Sequence, residues 1–102
     1  MIKTSVFYPS GRGKLDLDYY MNKHIPLCLK LLGPYGLIRI GVDKGIDSPE
    51  GAAPYVVIAH LVFESAEQMQ KGMEAHDPEL AADVKNYTDI QPIFQISEVL
   101  SG

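Results

Sequence analysis

Hydrophobic and polar positions alternate along the chain with two different periods. Residues 2–8, IKTSVFY, alternate and carry β-branched and aromatic side chains, the mark of a strand. From Leu17 the period becomes helical, with apolar or ring-bearing residues at 17, 20, 21, 24, 28, 31 and 32. Asp16 suits the N-cap of that helix, Asp18 sits near its positive dipole end, and Gly33-Pro34 closes it. Leu37 to Val42 alternates again, with Ile38, Ile40 and Val42 on one face. Gly45 to Pro54, GIDSPEGAAP, is rich in turn formers and predicts a surface loop between antiparallel strands. Tyr55 to Phe63 is the third strand. Ser65 and Gln68 form a capping box that opens a helix from about Ala66 to Ala75. Asp77-Pro78 then predicts a fresh helix start, with Leu80, Val84 and Tyr87 as its apolar face. Ile90 to Leu100 makes the fourth strand, which Pro92 confines to an edge or a bulge.

The resulting order, β-α-β-β-α-β, predicts the α+β class. The expected architecture is a ferredoxin-like sandwich, an antiparallel sheet with two helical segments on one face. A chain of 102 residues has room for one such domain over 1–102. Helices on one face leave the other to water, and that face should then be polar. The third strand does not comply. Tyr55, Val57, Ala59, Leu61 and Phe63 make one side, while Val56, Ile58, His60 and Val62 make the other. Exposing Val56, Ile58 and Val62 would forfeit about 1.5–3 kcal/mol for each fully buried side chain. A second copy of the sheet is the simplest cover, so the pattern predicts a homodimer with a closed β core.

Composition narrows the setting. Apolar residues make up 46% and charged residues 22%, ordinary values for a soluble globular protein. The net charge is −4 and the nine basic residues are scattered, which argues against nucleic acid as a partner. No apolar run is long enough to span a bilayer, so no membrane partner is expected. The single cysteine, Cys28, and the lack of an export signal ahead of Ile2 predict a cytoplasmic protein.

Candidate chemistry gathers in residues 16–27, DLDYYMNKHIPL. Tyr20 and His24 are four residues apart and share one helix face with Leu17, Cys28 and Leu31. Pro26 inside the same helix should kink it, move Ile25 out of helical geometry and free the carbonyl of Asn22. An imidazole beside such a kink can act as a general acid or base, with Tyr20 holding a substrate oxygen. His24 and Cys28 have the spacing of two metal ligands, but nothing completes a site, so no metal is expected. Tyr8, Met69, Met73 and Tyr87 are candidates for lining a ligand cavity, although such residues also serve as core filler. His60, in mid-strand, is expected at a subunit interface or against a ligand. Glycine-rich phosphate loops and other cofactor motifs are missing, so no cofactor is expected.

The segment DLDYYMNKHIPL resembles the tyrosine–histidine–proline signature of the EthD family, and NYTDIQPIFQISEVL, residues 86–100, is similar to the closing strand of those proteins. The resemblance implies a dimeric α+β barrel of ferredoxin-like subunits. It carries the family's positions onto Tyr20, His24 and Pro26. It also implies two kinds of function. One is a cofactor-free enzyme acting on a small apolar, oxygen-bearing metabolite by isomerase, cyclase or oxygenase-type chemistry with His24 as acid or base. The other is a non-catalytic binding or auxiliary protein of an oxidative degradation pathway. A shared fold does not fix a reaction.

Overall fold

The computed structural model describes residues 1–102. Four strands form one antiparallel sheet: β1 (Ile2–Pro9), β2 (Leu37–Lys44), β3 (Tyr55–Phe63) and β4 (Ile93–Glu98). Their order is β2-β3-β1-β4, which leaves β2 and β4 as the two edges. The helical segments are α1 (Leu17–Tyr19), a π turn (Tyr20–His24), α2 (Ile25–Leu32), a 3-10 turn (Gly33–Tyr35) and α3 (Ala66–Val84). This is the ferredoxin-like α+β sandwich that the element order predicts. Its core lies between helices and sheet, where Val6, Tyr8, Val57, Ala59, Leu61 and Phe63 meet Tyr20, Ile25, Cys28, Leu32 and Met69.

Four local expectations need correction. Pro26 does not break the helix: Ile25 keeps helical dihedrals of φ −63° and ψ −46°. The coil widens ahead of the proline instead, and the Ile25 N–H donates to the carbonyl of Tyr20 five residues back. Pro26 then falls at the start of α2, where a missing N–H costs least. The second helix does not restart at Asp77 either; α3 runs unbroken for 19 residues with Pro78 inside it. Met69 and Leu80, on the two sides of that proline, are both buried in the same core. Such burial outweighs the roughly 3 kcal/mol an interior proline costs. Gly72 permits the close approach of α3 to the first helical layer, since a Cβ there would lie 2.8 Å from the Cβ of Tyr35. The fourth strand begins at Ile93 rather than Ile90, so Pro92 stands just outside the edge strand.

The fourth correction concerns the faces of β3. A register shift at Tyr8/Pro9 skips Val56, which packs against the helix-side core instead of the open face. Tyr55 crosses over and meets Phe7, with ring centroids 5.2 Å apart. Val62, between Lys3 and Arg39, is only 1% exposed in the single chain. The apolar part of the open face is therefore Phe7, Tyr55, Ile58 and Ile93. Its polar part is Ser5, His60 and Asp43: the Ser5 hydroxyl lies 2.9 Å from His60 Nδ1, and Asp43 lies 3.6 Å from Nε2. No helix is long and apolar enough to cross a membrane.

Candidate functional site

A hollow of about 490 Å³ opens between the sheet, the first helical layer and the C-terminal half of α3. That volume lies within the range of small-molecule sites. Its inner wall is Tyr8, Tyr20, His24 and Tyr87; Met73, Leu80 and Val84 line it from α3, Phe94 from β4, and Pro92 from just ahead of that strand.

The π turn sets the chemistry of the inner wall. On a regular helix, positions five apart are separated by roughly 140° and face different ways. A turn bonded five residues back brings such positions onto one side. Tyr19 and His24 are five apart, and both reach the same carboxylate. His24 Nδ1 lies 2.9 Å from one Asp83 oxygen, and the Tyr19 hydroxyl donates to the other at 2.7 Å. Asn86, three residues further along the chain, donates to that second oxygen at 3.0 Å. Burial alone would raise the Asp83 carboxyl, but the hydrogen bonds from Asn86, Tyr19 and His24 outweigh it and hold the group below its ordinary range. Asp83 is thus an anion, which fixes His24 with its proton on Nδ1. Nε2 has no protein partner, yet no buried polar atom is left unsatisfied, so it opens toward the hollow.

Three tyrosines complete this wall. The Tyr20 ring stacks on His24 at 5.6 Å and 19°, as their four-residue spacing predicts. Tyr87 tilts against both, 4.9 Å from Tyr20 and 4.7 Å from His24. The Tyr8 and Tyr87 hydroxyls are hydrogen-bonded at 2.7 Å. Burial pushes all three phenols well above their ordinary range, so they stay protonated and serve as donors rather than bases. A bonded pair of phenols uses only one of its two protons, and the other remains for a ligand oxygen. Burial likewise pushes the Cys28 thiol up to about 12, which keeps it an inert wall residue.

The structure therefore gathers Tyr8, Tyr20, His24, Met73 and Tyr87 around one hollow. Met69 and His60 stand elsewhere. Met69 is sealed in the core, where its sulfur accepts from the Thr4 hydroxyl at 3.0 Å. His60 lies across the sheet from the hollow, on the open face. Sequence reasoning missed Asp83. The available signal is a carboxylate amid the apolar stripe of Leu80, Val84 and Tyr87, one turn before a tyrosine. No three His, Cys, Asp or Glu side chains come together in a metal-holding group.

Comparison with known proteins places this arrangement. No curated protein matches the chain. An EthD-like protein from Ralstonia eutropha JMP134 is 33% identical, with a TM-score of 0.91 over 98% of this chain and 92% of its own. An EthD family protein from Bacillus halodurans C-125 is 23% identical, with a TM-score of 0.72 over 98% and 99%. A dimeric ferredoxin-like protein from an uncultured marine organism shares the fold at 17% identity, with a TM-score of 0.61 over 100% and 97%. The EthD domain model matches residues 16–91, a span that takes in Tyr20, His24, Asp83 and Tyr87. On that match and the 33% relative, this chain belongs to the EthD family.

Proposed function

We propose that the hollow binds a small, mostly apolar molecule bearing a carbonyl or phenolic oxygen, and that His24 moves a proton on it. The observation that carries this reading is the Asp83–His24 pair at the wall of an apolar hollow with Nε2 left open. Nε2 takes a proton from the carbon beside the carbonyl. Asp83 then balances the imidazolium, and the free phenol proton of the Tyr8–Tyr87 pair bonds the developing enolate oxygen. Return of the proton to another carbon gives isomerisation, and attack of the enolate carbon on a second carbonyl of the same molecule, whose oxygen takes the proton back from His24, gives cyclisation. Both need only these side chains. Tyr20 serves as the shelf that keeps the imidazole plane in place.

The same reading includes a homodimer, joined through the open face of the sheet. Phe7, Tyr55, Ile58 and Ile93 are apolar, and no helix covers them. A structural neighbour of the same fold is described as dimeric.

The test is deuterium exchange. A panel of small cyclic ketones, phenolic ketones and lactones is incubated with the protein in deuterium oxide, and loss of α-proton signals is followed by NMR. At least one compound should exchange faster, and His24→Ala should slow that exchange by ~100-fold or more. Exchange unchanged in His24→Ala defeats the assignment. Chemical-shift changes on binding, without exchange for any compound, favour the auxiliary binding role instead.

A further inference from the structure

The hollow is open on the β4 side, and the residues there are unusual for a surface. Phe94 lines it, yet is 60% exposed; Ile96, two residues on and on the same side of the strand, is 63% exposed. β4 is an edge strand whose outer backbone groups are unpaired, and its only charge is Glu98. Proteins normally blunt such an edge with charge, proline or cover. At the other end of the sheet the loop after β2 shows a matching feature. It is well tied down: the Ser10 hydroxyl donates to the Ala53 carbonyl, Ala53 N–H to Asp47, and Ser48 and Gly51 pair through their backbones. Yet this ordered loop holds Ile46 out to solvent at 81% exposure.

Symmetry brings the two features together. If open faces meet about a two-fold axis parallel to the strands, x reverses and height along the strands does not. The β2 edge of one copy then lies beside the β4 edge of the other. Lys44 and Ile93 both stand at the end of the sheet marked by Tyr8 and Phe7. The loop that follows β2 in one copy therefore arrives beside residues 91–94 of its neighbour. Its ten residues, 45–54, give it the reach to turn over that edge.

We propose that the binding site is completed by a second copy of the chain, with Ile46 of the partner subunit closing the hollow against Phe94. This rests on the reading of the protein as a face-to-face dimer. Each assembly then holds two hollows, each with polar chemistry from one chain and its outer wall from the other.

Cysteine cross-linking tests it. In one chain, Ile46 and Phe94 belong to opposite edges of the sheet, roughly 14 Å apart at three strand spacings. A disulfide needs Cα atoms within about 7 Å, so a bond between these positions must join two copies. Both residues are exposed, and neither substitution disturbs the core. Ile46→Cys combined with Phe94→Cys, and Ile46→Cys combined with Gln91→Cys, are oxidised mildly at low micromolar concentration and run without reductant. At least one pair should lock most of the protein as a covalent dimer, while each single variant stays unlinked. Light scattering on the unmodified chain separates the failures. A stable dimer that neither pair can lock overturns this inference and leaves the dimer standing. A monomer overturns both.

Discussion

His24 and His60 each face an aspartate, one beneath the helices and one on the bare side of the same sheet. The first pair is 2.9 Å apart with side-chain exposures of 9% and 14%; the second is 3.6 Å apart at 30% and 73%. Around His24, the second oxygen of the Asp83 carboxylate accepts from both the Tyr19 hydroxyl and the Asn86 amide. Around His60, the only further partner is the Ser5 hydroxyl, and water reaches the aspartate. Identical residue types thus give a fixed tautomer with an open nitrogen in one place and a loose, screened contact in the other. Position in the fold, rather than the presence of histidine and aspartate, decides which can do chemistry.

Several substitutions would break or sharpen that contrast. Phe63, fully buried on the helix side, should lose about 3–5 kcal/mol of stability as Phe63→Ala in urea unfolding. Asp43→Asn on the bare side should change the same measurement by no more than about 0.5 kcal/mol, because solvent screens the pair. A loss in Asp43→Asn close to that of Phe63→Ala would remove the distinction between the faces. In the deuterium exchange assay, His24→Ala should fall by ~100-fold or more, whereas His60→Ala should stay within about twofold. Equal losses would mean that His60 reaches the reacting molecule after all.

Two smaller effects refine the picture. Tyr8→Phe removes one buried hydrogen bond to Tyr87 and should cost about 1 kcal/mol by the same unfolding measurement. Acid titration of stability gives the subtlest readout. In the folded chain the Asp83 carboxyl is held below its ordinary range, so the unfolded chain binds that proton more tightly. The contribution is complete above about pH 4, the unfolded value, and fades as the pH falls through the folded one. Wild type should therefore lose urea stability more steeply over that acid range than Asp83→Asn. Parallel curves would show that the carboxylate network adds nothing to the fold.

The sheet was readable in the sequence because its period of two survives in β1, β2 and β3, with turn formers between them. The places where reading failed share a cause: a local rule met a longer-range force. Pro78 reads as a helix start, yet the core contacts of Met69 and Leu80 hold one helix through it. Pro26 reads as a kink, yet one added residue in the coil absorbs it. The alternation of β3 puts Val56 on the open side, and a register shift moves it. In the site, His24, Tyr20, Tyr8, Met73 and Tyr87 were legible as rings and apolar groups on helical or strand faces. Asp83 was not, since a carboxylate on a helix normally means solvent and its partners lie about sixty residues away in the chain. Met69 looks equivalent to the wall residues because sequence does not say which side of a shared core is hollow, whereas the strand alternation already places His60 on the opposite sheet face, at an interface or against a ligand.

The wide turn at Tyr20–His24 also makes this stretch sensitive to added length rather than to identity. Met21, Asn22 and Lys23 point outward and are open to substitution. Deleting any one of them would let the coil tighten to ordinary spacing and leave Tyr19 and His24 four apart, about 40° round the helix and still on one side. Inserting one more residue would set them six apart, about 120° round a regular coil, and Asp83 would lose one donor even though every named side chain were still present. An insertion here would thus undo the carboxylate network where a deletion or several point changes would leave it in place.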